Sequence, residues 1–314
     1  MHKISLLTKN DIDEALHLWY KNHLKYSNTV SLPNFLPDGR QNLENYFSKR
    51  IQNEQAIVFK EYNKILGYFT WIQFDFHNEK SALCPIIGHF GDDEYKEMIY
   101  TVMYNHVSNE WVRNDIFNHL WMINFEDNFL KKFSYDLGFG SYVIDACIKN
   151  GQIKETNCQY KITKAELKDS DLLSLLIEES KQYYFEAPIF LKRKTLSKDE
   201  IQDKITNSII FLAWNNDELI GFMDIKNENN YNIEQLSTPE SVSIGAYIKL
   251  AYRNKGLGSS LLNHVFNDCK LKKIEYIHLS FETSNTYGNR FWRKYFNSII
   301  ISVRRTINKD ANSL

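Results

Sequence analysis

Proline and glycine are scarce in this chain of 314 residues, with 5 Pro and 12 Gly, which excludes collagen-like and linker-like compositions. Only four cysteines occur, Cys84, Cys147, Cys158 and Cys269, and no pair has metal-ligand or CxxC spacing. That pattern reads as reduced, buried thiols with no metal site. No uncharged apolar run approaches the roughly 18 residues of a membrane span, since Ser81–Gly91 is shorter and carries Pro85 and Gly88. Lys9, Asp11, Asp13 and Glu14 interrupt the amino-terminal segment, so no secretory signal is visible, and the expected location is cytoplasmic. Formal net charge is −1, which gives no general pull toward nucleic acid or an anionic membrane. The charge is unevenly divided. Residues 1–157 carry 16 basic and 20 acidic side chains and residues 158–314 carry 22 and 19, so an anion preference belongs to the second half.

Aromatic residues are plentiful, with 20 Phe, 19 Tyr and 6 Trp, and hydrophobic residues make up 43%. This is enough to fill globular cores and argues against extended disorder. The length suits two domains.

The chain repeats one pattern. Ala56–Gly67 (AIVFKEYNKILG) matches Ile210–Gly221 (IFLAWNNDELIG), a strand, a polar turn and a second strand entered through Leu-Gly or Ile-Gly. Ile4–Trp19 and Ile162–Ile177 each open with a short strand and run into a helix of apolar period. Phe133–Phe139 (FSYDLGF) matches Phe291–Phe296 (FWRKYF). Three matches in one order, at offsets near 155 residues, predict a duplicated domain, one copy over 1–150 and the other over 158–314. The polar stretch Lys149–Asn157 is the predicted boundary. In the second copy the periodicity predicts helices over 169–184, 259–272 and 285–295. It predicts strands over 209–214, 219–226, 242–250 and 274–281, with Ser298–Val303 as an edge strand. The fold class is α/β, as a layered α+β arrangement.

Chemistry concentrates in Tyr252–Ser260, YRNKGLGSS, between a strand and a helix. Gly256 and Gly258 let the backbone approach a ligand and adopt positive φ. Free N–H groups and the helix dipole then favour an anion, and Arg253 and Lys255 add charge. A solvated basic turn before a helix has the same composition. A Walker A loop is absent, and a dinucleotide fingerprint fails because Leu261 stands where its third glycine belongs. The remaining pattern is R-x-x-G-x-G, read as Arg253, Gly256 and Gly258. It resembles the acyl-CoA pyrophosphate loop of the GCN5-related N-acetyltransferase (GNAT) family. The resemblance extends to Ala246, Ile248, Tyr252 and Arg253 on the preceding strand, and to Asn285 six residues before Phe291-Trp292. It covers about 160–305 closely and 1–148 in outline.

This resemblance implies two tandem GNAT-like domains, each a central mixed sheet flanked by helices, and acetyl transfer from acetyl-CoA to a primary amine of a small molecule or peptide. No metal, nucleic acid or membrane partner is implied, and the state would be monomer or homodimer. By carry-over, Ala246, Tyr247 and Ile248 would pair with the pantetheine arm. Arg253, Asn254, Lys255, Gly256, Leu257, Gly258 and Ser259 would hold pyrophosphate, and Asn285 would touch the arm. The family's thiolate-protonating Tyr falls at Trp292, whose indole cannot supply that proton, which leaves Tyr295 and Tyr287 as acids. The position that often carries a Glu base falls at Ser243, so Glu240 and Asp224 are the candidate bases. Tyr183, Tyr184, Phe185 and Glu186 suggest an aromatic, acidic pocket for a cationic amine. The first copy lacks the loop. Pro85–Tyr95 places Asp92, Asp93 and Glu94 where phosphates would sit, so it reads as a degenerate copy. Two other readings remain, a CoA-binding pseudoenzyme or scaffold and an unrelated nucleotide binder using the same loop.

Overall fold

A computed structural model describes residues 3–27, 39–150, 158–228, 231–232 and 236–312. Residues 151–157 of the predicted boundary lie outside the described residues. The chain divides into two compact units, Met1–Asp145 with Tyr231–Ser237 and Ser298–Leu314, and Ala146–Asn230 with Thr238–Asn297.

The chain runs β1 (Lys3–Leu6), α1 (Ile12–Ser27), α2 (Arg40–Gln52), β2 (Ala56–Glu61), β3 (Lys64–Thr70), β4 (Ile72–Phe76), β5 (Glu79–Cys84) and β6 (His89–Gly91). It continues through α3 (Lys96–Arg113), β7 (Asn118–Asn124), α4 (Asn128–Asp136) and β8 (Gly140–Lys149). The second series is β9 (Lys161–Lys164), α5 (Ser170–Phe185), α6 (Lys198–Asn207), β10 (Ile209–Asn215), β11 (Glu218–Asn227) and β12 (Ser241–Ile248). Then come α7 (Leu257–Leu271), β13 (Tyr276–Glu282), α8 (Thr286–Tyr295) and β14 (Asn297–Thr306).

In the first unit β1-β2-β3-β6 form one antiparallel sheet, and β4-β5-β7-β14-β8 follow one another in a second. The sequence pattern puts β14 at an edge. It instead pairs along β7, from Ile300–Asn124 to Thr306–Asn118. The physical reason is its apolar run: Ile299, Ile300, Ile301 and Val303 are all buried, and a strand apolar on both faces belongs inside a sheet. Aromatic packing dominates here, with Trp71, Trp111, Trp121, Tyr68 and Tyr100 among the largest fully buried side chains.

In the second unit the order is β13-β12-β11-β10-β9, with β12 and β13 parallel and the remaining pairs antiparallel. Its helices bury the predicted faces. On α7 these are Leu261, Leu262, Val265, Phe266 and Cys269. On α5, Leu173 and Leu176 are buried but Leu172 is 45% exposed, because it lies one residue off the packed stripe.

Duplication is visible in matched hydrogen bonds within each unit. Asp11 accepts from Thr8 N–H and Asp169 from Glu166 N–H, both at 2.9 Å, at the entry to α1 and α5. Tyr26 donates to Asp127 at 3.0 Å and Tyr183 to Asn285 at 2.8 Å, and each acceptor caps a helix, α4 or α8. These partners stand 157 or 158 residues apart in the chain. Among the described residues no helix is long and apolar enough to cross a membrane, and no group of three His, Cys, Asp or Glu is placed to hold a metal ion.

Candidate active site

The second unit contains a cavity of about 410 Å³ at the carboxyl end of β12. Strand pairing opens it. β12 and β13 pair from Ser241–Tyr276 to Ser243–His278 and no further, although both strands continue. Ala246, Tyr247 and Ile248 keep their antiparallel partners Met223, Phe222 and Gly221 on β11. Their other edge faces the gap, which leaves main-chain donors and acceptors available to an extended ligand.

The loop after β12 closes one end. Asn254 and Gly256 both take left-handed backbone, at φ 60° and 80°. Gly256 caps α7, and the first helical hydrogen bond runs from Ser260 N–H to Gly256 C=O. The N–H groups of Leu257, Gly258 and Ser259 therefore have no partner within the helix and carry its positive end. Gly258 is fixed by close approach, because a Cβ there would lie 3.0 Å from the Phe291 ring of α8. Asn254, Gly256, Gly258 and Ser259 line the cavity; Leu257 is buried beneath it and Lys255 points to solvent beside Tyr252.

Arg253 turns inward. Its Nε donates to Ile248 C=O at 2.9 Å, and its Cζ lies 4.2 Å from the Tyr183 ring, 5.3 Å from Tyr287 and 5.6 Å from Tyr247. Its Nη1 is buried without a hydrogen-bond partner. A buried guanidinium nitrogen left unpaired is costly, so the site suits an anionic or carbonyl oxygen. Arg290 and Lys294, one turn apart on α8, also line the cavity. Sequence reasoning passed over this pair, although their i, i+4 spacing with Tyr287 and Phe291 was the signal.

Asn285 lines the wall at 5% exposure. Its Oδ1 accepts from Gly288 N–H at 3.0 Å and from the Tyr183 hydroxyl at 2.8 Å, so a ligand meets its amide N–H₂. Tyr287 and Tyr295 both line the cavity, with Trp292 between them and Tyr295 hydrogen-bonded to Ser259 at 2.5 Å. The Tyr247 hydroxyl donates to Glu179 at 3.0 Å, and burial, reinforced by that carboxylate, pushes its pKa up. Burial also raises Tyr184, which lines the cavity, against the opposing charge of Arg193.

The candidate carboxylates lie elsewhere. Glu240 is exposed in the turn before β12, about 20 Å of strand from Ala246. Asp224 on β11 is ion-paired with Lys204 of α6, and Ser243 faces Lys226 across the sheet. Glu186 is exposed and accepts from Gln182, and Phe185 is 59% exposed. Among the described residues, none that lines the cavity is a carboxylate.

A splayed parallel pair, a glycine loop at a helix amino end and a capping Asn on the next helix define a fold built to take an acyl-CoA arm. The comparisons agree. Residues 172–297 match the Acetyltransferase (GNAT) family. The chain belongs to the GNAT acetyltransferase family through that segment. A GCN5-related N-acetyltransferase from Sphaerobacter thermophilus is similar in structure, with TM-score 0.58 and 10% identity over 98% of this chain and 96% of that one. An acetyltransferase of the GNAT family from Colwellia psychrerythraea has TM-score 0.50 and 10% identity, covering 98% and 100%. A glucosamine N-acetyltransferase region in a fungal multi-domain GH3 beta-N-acetylglucosaminidase has TM-score 0.54 and 10% identity, covering 97% of this chain and 38% of that one. At such identities the likeness establishes the fold, a tandem pair of GNAT-like α/β units. No curated protein sequence matches the chain.

Proposed function

We propose that the second unit transfers an acetyl group from acetyl-CoA directly to a primary amine of a small molecule or peptide. The observation that carries the reading is the continuous wall from the open edge of β12 to the free N–H groups of α7, with the unpaired Arg253 nitrogen between them. Bound acetyl-CoA would supply an activated thioester. Main-chain groups of Ala246–Ile248 hold its arm and offer an N–H to the carbonyl oxygen. The loop from Arg253 to Ser259, with Arg290 and Lys294, neutralises the phosphates. Tyr295 is committed to Ser259 at the loop end, so Tyr287 is the better placed proton donor for the leaving sulfur. With no carboxylate on the cavity wall, the amine enters neutral or gives its proton to water.

The first unit is assigned no donor site. Asp92, Asp93 and Glu94 precede α3, and Lys96 at its start is paired with Asp127 at 2.7 Å, with 14% and 4% of the two side chains exposed. Charge there is settled internally, which fits a copy that has lost the loop.

The test is release of CoA thiol from acetyl-CoA across a panel of small amines and peptides. Turnover with an amine supports the reading. Tight CoA binding with no turnover on any amine favours the pseudoenzyme reading, which the Trp292 replacement also fits. Preference for NAD or ATP over CoA sinks both.

A further inference from the structure

One contact beside the cavity takes no part in the chemistry above. Tyr184, near the end of α5, lines the cavity. The guanidinium carbon of Arg193 lies 3.4 Å from the centre of its ring. Arg193 Nη2 also donates to Glu282 Oε1 at 3.1 Å. Glu282 is the last residue of β13, on the far side of the gap from β12, and its side chain is 13% exposed. Its other oxygen, Oε2, is buried and has no hydrogen-bond partner among the described residues. Asn285, whose N–H donates to the Glu282 carbonyl at 3.1 Å, ties this carboxylate to the cavity wall.

An aromatic face and a carboxylate gathered around one positive charge make a cation-recognition site. Here the charge comes from the chain itself, from the 186–197 connection between α5 and α6, through a side chain that is 42% exposed. Arg193 uses only half of the carboxylate. A buried acceptor left unpaired is costly, and a two-pronged guanidinium or a three-donor ammonium would engage both oxygens. Glu282 thus supplies the acidic group that the cavity wall itself lacks.

We propose that Tyr184 and Glu282 form a binding site for a cationic group of the acceptor, and that Arg193 fills this site as an internal stand-in until the acceptor displaces it. The acceptor class is a primary amine carrying a second positive charge. The amine assignment rests on the acetyl-transfer reading; the cation site does not.

Agmatine, which carries a guanidinium and a primary amine, is a suitable probe. Calorimetric titration of the full-length protein is expected to show Arg193→Ala binding agmatine at least tenfold more tightly than wild type. Adding Glu282→Gln to Arg193→Ala is expected to abolish the gain, and adding Tyr184→Leu to reduce it at least fivefold. Near-UV circular dichroism checks the fold of each variant, and the Tyr184→Leu pair decides the matter if Glu282→Gln does not fold. No gain in Arg193→Ala, or a gain that survives removal of either partner, overturns the proposal. CoA titration of the wild type is read separately. Its failure would remove the acetyl-transfer reading and leave the agmatine result standing.

Discussion

Single residues set the chemistry of the two units in different ways. Gly256 stands at φ 80° with open space around its Cβ position, so Gly256→Ala meets only backbone strain. The expected cost is about 1–2 kcal/mol, read as a melting temperature lower by a few degrees. Gly258 is limited by the Phe291 ring instead, so its enlargement should displace α8 and damage ligand binding more than stability. Buried histidines give a pH signature. His89 accounts for both its hydrogen bonds when neutral, donating from Nε2 to Met122 C=O and accepting at Nδ1 from Tyr100, each at 2.9 Å. His119 does the same with Ile116 C=O and Tyr104. Burial holds both, and His278, down to about 4. Their neutral forms stabilise the fold fully above about pH 6.5, where the unfolded residues are also neutral, and that contribution is lost as pH falls toward 4. At pH 5 each is expected to cost about 2 kcal/mol. Urea denaturation at pH 7.5 and pH 5 checks this, and unchanged stability would contradict it.

At the scale of elements, the two helix caps invite a direct comparison. Asn285→Ala removes a cap from α8 and the partner of the Tyr183 hydroxyl, at an expected cost of about 1–2 kcal/mol. Asp127→Ala removes a cap from α4 and also strands the mostly buried Lys96, which raises the cost to about 3–5 kcal/mol. Equal losses in thermal denaturation would contradict the assignment of a charged, closed network to the first unit. These elements also mark the limit of sequence reading. The loop of Arg253, Gly256 and Gly258 was legible because its meaning lies in spacing over six residues. The faces of α7 and β13 followed from period. The Arg193–Glu282 contact was not legible, because its partners are 89 residues apart and neither is unusual locally. Glu240 drew attention through its nearness in sequence to Ser243, yet strand direction carries it away from the cavity.

For the whole molecule, the duplication read from three weak matches is carried by paired hydrogen bonds such as Tyr26–Asp127 and Tyr183–Asn285. The place of the last strand was not legible. An apolar run such as Ile299–Ile301 announces burial but does not name its partner, and β14 pairs with β7 in the first unit. Deleting residues 298–314 is therefore expected to remove hydrogen-exchange protection from the amides of Asn118–Asn124; protection that survives the deletion would refute this pairing. The central claim is a single acyl-CoA site, in the second unit. Its most direct test is calorimetric titration of the full chain with acetyl-CoA, beside Gly258→Trp. One site per chain, lost in the variant, is the expected result. Two sites per chain, or no binding by the wild type, would contradict it.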